Sequence, residues 1–309
     1  MKIIHYDITK KFPPVEPFAA CIGYFDGFHV GHMALVSATL KIAHKKGIKS
    51  AVITFDPDPW VVIKHIEHPI HLTTMSDRME IAREKGIDYW IAIKFDENLA
   101  IQPHEVFTDV IAKTPLVTLV SGFDFTYGHK GQGNSATLKQ ESAGKFDVLE
   151  ILPITDNGIK ISTTRIGQLI DDGQIADANR LLGRIYALSG IVVGGRHIGR
   201  KIGYPTANLA VDPEYRIPRI GVYAGRVEVE GIWYDAMISI GKNPTVTEEK
   251  SISVEANLFD FDRDIYEMTV KFEFHQFIRD EIKFASIADL VATIHEDEVA
   301  CRAYFHGSH

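Results

Sequence analysis

The chain has 309 residues, 45% hydrophobic and 24% charged, with a net charge of −8. That length favours two domains over one, and the composition is ordinary for a globular protein. The acidic balance argues against a nucleic-acid-binding face, and no apolar run approaches the roughly 18–20 residues that span a bilayer.

Met1 to Asp7 lacks the apolar region of a signal peptide. Cys21 and Cys301 are the only cysteines and make no disulfide framework. Cys21 lies in a buried-strand pattern and reads as inert core. The chain is expected to be cytoplasmic.

In chain order, apolar runs at residues 18–22, 50–55, 89–93 and 116–120 predict strands. Helical segments at 33–47, 74–86 and 104–111 alternate with them. Near-continuous apolar strands separated by helices indicate a doubly wound parallel sheet covered on both faces. Residues 162–183 read as a helical linker interrupted near Asp171, Asp172 and Gly173. From about residue 188 the pattern changes. Met268, Val270, Phe272 and Phe274 alternate with polar neighbours, as in a half-buried antiparallel strand. Residues 225–230 behave similarly and turn at Gly231. Several such strands with Gly and Pro between them predict a small, mainly antiparallel β-barrel. A helix from about Ile287 closes the chain. Ser286 and Asp289 form a capping-box pattern, and Ile287, Leu290, Val291 and Ile294 form its expected core stripe. The predicted domains are 1–182, including the linker, and 183–309.

The most informative stretch runs from Ile22 to His32, where the first predicted strand turns into the first helix. Glycines there let backbone N–H groups approach an anion, and a helix N-terminus adds partial positive charge. His29 and His32 are three apart and share one face of a first helical turn. Two imidazoles at a phosphate site can donate hydrogen bonds to a polyphosphate, which is the chemistry of nucleotidyl transfer. The same residues could be a plain tight turn with surface histidines, or half of a metal site. A zinc site needs at least a third protein ligand, and no nearby Cys/His cluster offers one.

Further motifs follow the strands. Asp124 at a strand end could bind ribose hydroxyls or a metal. Phe123 and Phe125 could stack on a planar ring or belong to the core. The hydroxyls of Ser162, Thr163 and Thr164 could cap a helix. In the second half, the glycine-rich, cationic stretch from Gly190 to Gly203 could wrap phosphates through backbone N–H groups. The Thr206 hydroxyl and the Asn208 carbonyl oxygen are hard ligands suited to Mg²⁺.

GYFDGFHVGH closely resembles the GxFDGxHxGH signature of the bacterial bifunctional riboflavin kinase/FAD synthetases, members of the HxGH nucleotidyltransferase superfamily. Further blocks match in the expected order over nearly the whole chain. TFDPDP, with Asp56 and Asp58, resembles TFxPHP, and Asp58 stands where the family usually has His. SGFDFTYG resembles GxDFxFG, and ISTTRI resembles ISSTRIR. The stretch ending in PTAN resembles the riboflavin kinase signature. IGKNPT resembles IGxxPT. VEANL resembles VExHL, with Asn257 for the usual His. Tyr266-Glu267 replaces Tyr-Gly, and IRDEIKF resembles LRxExKF.

The resemblance implies an α/β nucleotidyltransferase-type domain followed by a riboflavin kinase barrel. The implied catalytic residues are His29, His32 and Arg165 for adenylyl transfer and Glu255 as the kinase base. The implied phosphate contacts are Gly23, Phe25, Asp26, Gly27, Gly31, Ser162, Thr163 and Thr164. In the second domain they are Gly194, Gly199, Lys201 and Gly203. Asp56, Asp58, Asp124, Phe125, Arg279 and Glu281 would face the flavin, and Thr206 and Asn208 would hold Mg²⁺. The expected function is phosphorylation of riboflavin to FMN and adenylylation of FMN to FAD, with ATP as co-substrate. Riboflavin, FMN and ATP are the expected partners, with no nucleic acid and no membrane. The alternatives are an enzyme that keeps only one activity and a non-catalytic flavin-binding regulator.

Overall fold

The first half of the chain builds a six-stranded parallel sheet. Its strands are β1 Lys2–Tyr6, β2 Phe18–Ile22, β3 Lys49–Asp56, β4 Tyr89–Lys94, β5 Leu116–Gly122 and, beyond the short hairpin of β6 Thr126–Tyr127 and β7 Gly133–Asn134, β8 Asp147–Ile151. They lie in the order β1-β4-β3-β2-β5-β8. A computed structural model of the chain describes residues 1–195, 199, 203–242 and 252–307. It divides into two units, Met1–Thr163 and Thr164–His309.

The four predicted strands are the four central ones. The two edge strands, β1 and β8, were not predicted. Their burial alternates or is slight, so their sequences lack a continuous apolar run. In the centre, alternate residues serve opposite faces. Ala20 and Ile22 pack with Phe107 and Leu138 on one side. Cys21 packs with Val36, Val52 and Trp90 on the other. Burial pushes the Cys21 thiol up to about 12, so it behaves as core.

Helices α1 Val30–Lys46, α2 Pro59–Lys64, α3 Met75–Glu84, α4 Glu97–Ala100, α5 His104–Ala112 and α6 Ser135–Glu141 complete this unit. Helix α1 ends in His44, Lys45 and Lys46, then Gly47 at φ 64, whose N–H closes the last turn on Ala43 and His44 carbonyls. A reciprocal Thr74–Asp77 box opens α3. The short strands β9 Thr155–Asp156 and β10 Ile159–Lys160 pair before α7.

The second unit begins within α7 Thr163–Asp171 and continues with α8 Ile175–Leu182, the two broken as expected near Gly173. The barrel strands are β11 Tyr186–Val193, β12 Ala207–Val211, β13 Gly221–Val229, β14 Ile232–Lys242, β15 Ile252–Leu258 and β16 Thr269–Arg279. They close in the order β11-β12-β15-β14-β13-β16, all antiparallel. Val229 pairs with Ile232 across Glu230 (φ 52) and Gly231 (φ 81), the two left-handed residues of a tight hairpin turn. The Asn179 side chain fixes α8 to the barrel, donating to the Phe274 carbonyl at 2.8 Å and accepting from the Tyr186 N–H at 2.7 Å.

The C-terminal helix Ile287–His306 forms; of its expected core stripe Leu290, Val291 and Ile294 are half-buried, and only Ile287 is corrected to the surface. Ile287 is 71% exposed, and Cys301 is buried instead, with Ile294, Tyr304 and Phe305 packed around the same cluster. The helix meets the barrel at Asp297 and Cys301, in its later turns, and its first turn is largely exposed. The cap is also closed differently. Ser286 Oγ accepts the Asp289 N–H and donates to the Asp289 carboxylate, side chain to side chain.

Candidate active sites

Strand β2 lies between β3 and β5, where the chain order reverses, and its carboxyl end is the expected ligand position of such a sheet. The Gly23 N–H ties the turn to the Ile53 carbonyl. The backbone then winds through left-handed conformations at Phe25 (φ 60), Gly27 (φ 77) and Phe28 (φ 38). Such φ values are rare for aromatic residues and cost about 1–3 kcal/mol each. Packing offsets the strain. Both phenylalanines are 1% exposed, their rings stack at 5.3 Å, and Phe28 lies against Trp90. Phe25 is thus beneath the site, its ring against the edge of His32.

The turn delivers His29 as the N-cap of α1. Its Nδ1 accepts the His32 N–H at 3.3 Å. That bond fixes the neutral tautomer, with the proton on Nε2. The rings of His29 and His32 stack 3.7 Å apart, 15° from parallel. Gly31 makes room for this arrangement, since a Cβ there would lie 3.0 Å from the His29 ring. The Thr163 hydroxyl donates to the Asp26 carbonyl at 3.1 Å, so the Ser162–Thr163 segment borders the same turn. Thr164 and Arg165 continue into the first turn of α7 and belong to the second unit.

The Asp26 carboxylate faces inward. It accepts the N–H groups of Leu72 and Thr73 at 2.9 and 3.0 Å and the Thr73 hydroxyl at 3.1 Å. The Gly27 N–H donates to that hydroxyl at 2.8 Å. Arg78, 1% exposed, donates to the Thr73 and Tyr24 carbonyls and lies over the Tyr24 ring. These bonds clamp the histidine turn to the segment before α3. Sequence reasoning missed Thr73, Arg78 and His71. The available signal was a charge inside an apolar helical stripe, Arg78 among Met75, Met79 and Ala82.

His71 stands 3.9 Å from Asp26 and 3.8 Å from Asp58, with the Tyr24 hydroxyl 3.2 Å from its Nε2. Asp58 caps α2 by accepting the Trp60 N–H at 2.8 Å. Burial holds its carboxyl above the ordinary range and pushes the Tyr24 phenol up to about 12. Asp56 is exposed at the end of β3. Asp124 is ion-paired with Lys160, whose ammonium also lies over the Phe123 ring. Phe123 is exposed, whereas Phe125 packs partly on the core and stacks on Tyr127. The Tyr127 hydroxyl, new relative to the family's Phe, donates to Glu141 at 3.1 Å.

In the barrel, Glu255 on β15 is the register partner of Asn208 on β12 and of Ser239 on β14. The Thr206 hydroxyl donates to its carboxylate at 3.1 Å. The Asn257 amide donates to the Pro205 carbonyl at 2.7 Å. Gly195 permits a close approach, because a Cβ there would lie 2.3 Å from the Asn208 amide nitrogen. Gly194 is open to solvent, Gly203 is left-handed at φ 89, and the Gly199 carbonyl accepts the Tyr204 N–H. Lys201 and residues 243–245 of the IGKNPT block lie outside the described residues. Arg279 makes a two-pronged ion pair with the buried Asp297, at 2.8 and 2.6 Å, and so ties β16 to the C-terminal helix. Glu281 approaches Gly241 at the end of β14.

Two family models match the chain. The FAD synthetase model covers residues 13–165 and the riboflavin kinase model covers residues 182–305. The bifunctional riboflavin kinase/FMN adenylyltransferase of Listeria monocytogenes is 37% identical over 98% of this chain and 97% of its own. That of Bacillus subtilis is 36% identical over 99% and 98%. The chain belongs to the bacterial bifunctional riboflavin kinase/FMN adenylyltransferase family. A solved structure from Streptococcus pneumoniae, described as a macrolide-efflux protein, superposes with a TM-score of 0.88 at 33% identity. It covers 97% of this chain and 99% of its own. Among the described residues, no helix is long and apolar enough to cross a membrane.

One departure from the riboflavin kinase/FMN adenylyltransferase pattern has a backbone consequence. Glu267 stands at φ 63, a conformation that glycine adopts without penalty and that costs other L-residues about 1–2 kcal/mol. Its N–H holds the Val192 carbonyl at 2.9 Å, so the loop keeps its shape despite the side chain.

Proposed function

We propose that this chain makes FAD from riboflavin in two ATP-dependent steps. In the barrel, Glu255 takes the proton of the riboflavin 5′-hydroxyl as that oxygen attacks the γ-phosphorus of ATP. The bond to the β-phosphate oxygen breaks, giving FMN and ADP. In the α/β unit, an FMN phosphate oxygen attacks the α-phosphorus of a second ATP, and pyrophosphate leaves. His29 and His32 donate to the phosphate oxygens as charge builds there. The N-terminus of α1 adds its partial positive charge. Ser162, Thr163, Thr164 and Arg165 are assigned to phosphate oxygens and Asp56, Asp58, Asp124 and Phe125 to the flavin side, while Arg279 and Glu281 are assigned to the flavin in the barrel. Asp26 and Phe25 act from beneath by holding the histidine turn.

The observation that carries the adenylyl-transfer half is the stacked histidine pair at the end of β2. The kinase half rests on the Thr206–Glu255 contact. The Thr206 hydroxyl and the Asn208 carbonyl oxygen are hard donors, which fits Mg²⁺. When bound there, Mg²⁺ would neutralise charge on the ATP phosphates. We assign the work to the cytoplasm, a reading supported by two free, buried cysteines.

The test is chromatography of riboflavin incubated with ATP and Mg²⁺, following FMN and FAD separately. FMN appearing first, then FAD with pyrophosphate, is expected. FMN without FAD, or FAD only from supplied FMN, would leave a single activity. Flavin binding without turnover would leave a regulator.

A further inference from the structure

We propose that Asn257 is a positioning residue for riboflavin phosphorylation; the inference rests on the kinase reading of the barrel. Glu255 and Asn257 are two apart on β15 and therefore point to the same face. Both reach the same short segment. Glu255 accepts from the Thr206 hydroxyl at 3.1 Å, and Asn257 donates to the carbonyl of Pro205, one residue earlier, at 2.7 Å.

That carbonyl needs an outside donor. Strand β12 starts at Ala207, and its ladder to β15 consists of Ala207 with Ala256 and Asn208 with Glu255. Pro205 precedes the ladder and has no N–H of its own. The partner is a pure acceptor, so the Asn257 amide must present its nitrogen to it. Asn257 is 7% exposed, and water competes poorly for a bond so shielded.

The Pro205 carbonyl and the Thr206 nitrogen share one peptide plane. Holding the carbonyl fixes that plane, and with it the direction in which the Thr206 hydroxyl leaves the chain. Segment 205–206 is thus pinned to β15 twice, once by backbone and once by side chain. Without the first pin, the second loosens, and Glu255 loses a neighbour that orients its carboxylate. Asn257 touches no reacting atom in this account. Its effect falls on turnover and on nucleotide affinity, through Thr206.

The experiment uses the full chain and two substitutions. Asn257→Asp keeps the shape and removes the donor, and Asn257→His keeps a ring N–H donor. Four quantities are read: kcat and KM for FMN formation, FAD formation from supplied FMN, melting temperature, and Mg²⁺–ADP affinity by calorimetry. Asn257→Asp is expected to lower the kcat of FMN formation about tenfold, the cost of one buried hydrogen bond. The KM for riboflavin should stay within about twofold, Mg²⁺–ADP should bind more weakly, and FAD formation should be unchanged. Asn257→His should recover most of the kcat. Wild-type kcat and Mg²⁺–ADP affinity in Asn257→Asp would overturn the proposal. So would a parallel fall of both activities with the melting temperature, which marks a merely structural residue. A wild-type chain that forms no FMN would remove the kinase reading instead. Mg²⁺–ADP calorimetry would then still decide whether Asn257 positions the segment.

Discussion

The Nδ1 of His29 accepts the backbone N–H of His32, and the two rings stack 3.7 Å apart. One residue is the cap of α1 and the other lies in its first turn. The fold of the helix N-terminus and the geometry of the two imidazoles are therefore one arrangement. His29 is committed to the cap through Nδ1.

His32→Ala should cut FAD formation from FMN by about 10²-fold or more, the effect of losing one oriented donor to developing charge. FMN formation from riboflavin should persist, because the kinase residues lie in the other unit. Separate rate measurements for the two products test this. Equal loss of both products would assign the histidines to folding.

Glu255→Gln should keep riboflavin binding, since amide and carboxylate are similar in size. Turnover to FMN should fall by about 10²–10⁴-fold, the range for a lost general base. Fluorescence titration of riboflavin reports binding, and single-turnover FMN formation reports chemistry. A variant at the wild-type rate would remove Glu255 from the mechanism.

Arg78→Leu should destabilise the first unit by about 3–5 kcal/mol, because it leaves the buried Asp26 carboxylate without its guanidinium neighbour, 3.6 Å away. Urea denaturation followed by tryptophan fluorescence, in chains where Trp60 and Trp233 are replaced by Phe so that Trp90 reports alone, measures it. FAD formation should fail at lower urea than FMN formation. An unchanged midpoint would mean that the Leu72 and Thr73 N–H groups suffice to hold Asp26.

Asp58→Asn should raise the melting temperature at neutral pH. Burial holds the Asp58 carboxyl above its ordinary value of 3.8 in the folded chain. The unfolded chain therefore gives up this proton at lower pH than the folded one, and ionisation costs stability. The cost is absent below the unfolded value, grows as pH rises through the folded value and is constant above it. The gain from asparagine should follow the same course, vanishing near pH 3. Asparagine keeps an acceptor oxygen for the Trp60 N–H, so the cap survives. Melting curves of both proteins across this range check the sign. A gain that persists unchanged at pH 3 would separate it from titration of Asp58.

Local pattern determined much of this protein. Continuous apolar runs specify strands buried on both faces, and the chain order of such runs and helices specifies a parallel sheet. They therefore marked β2 to β5 and not the half-exposed edges β1 and β8. The histidine turn was legible because its glycines, histidines and following helix are adjacent in sequence. The turn at Gly231 was legible for the same reason. The tertiary structure decided the contacts whose partners are far apart. Asp26 meets Leu72 across 46 residues, and Asn257 meets Pro205 across 52. It also placed the left-handed strain on Phe25 and Phe28, which their burial offsets, Phe25 stacked on Phe28 and Phe28 against Trp90. The exposure of Ile287 was settled likewise, because its helix meets the barrel at Asp297 and Cys301. Periodicity records which face of an element is apolar. It does not record what that face meets, because the meeting depends on how distant segments are brought together by the fold.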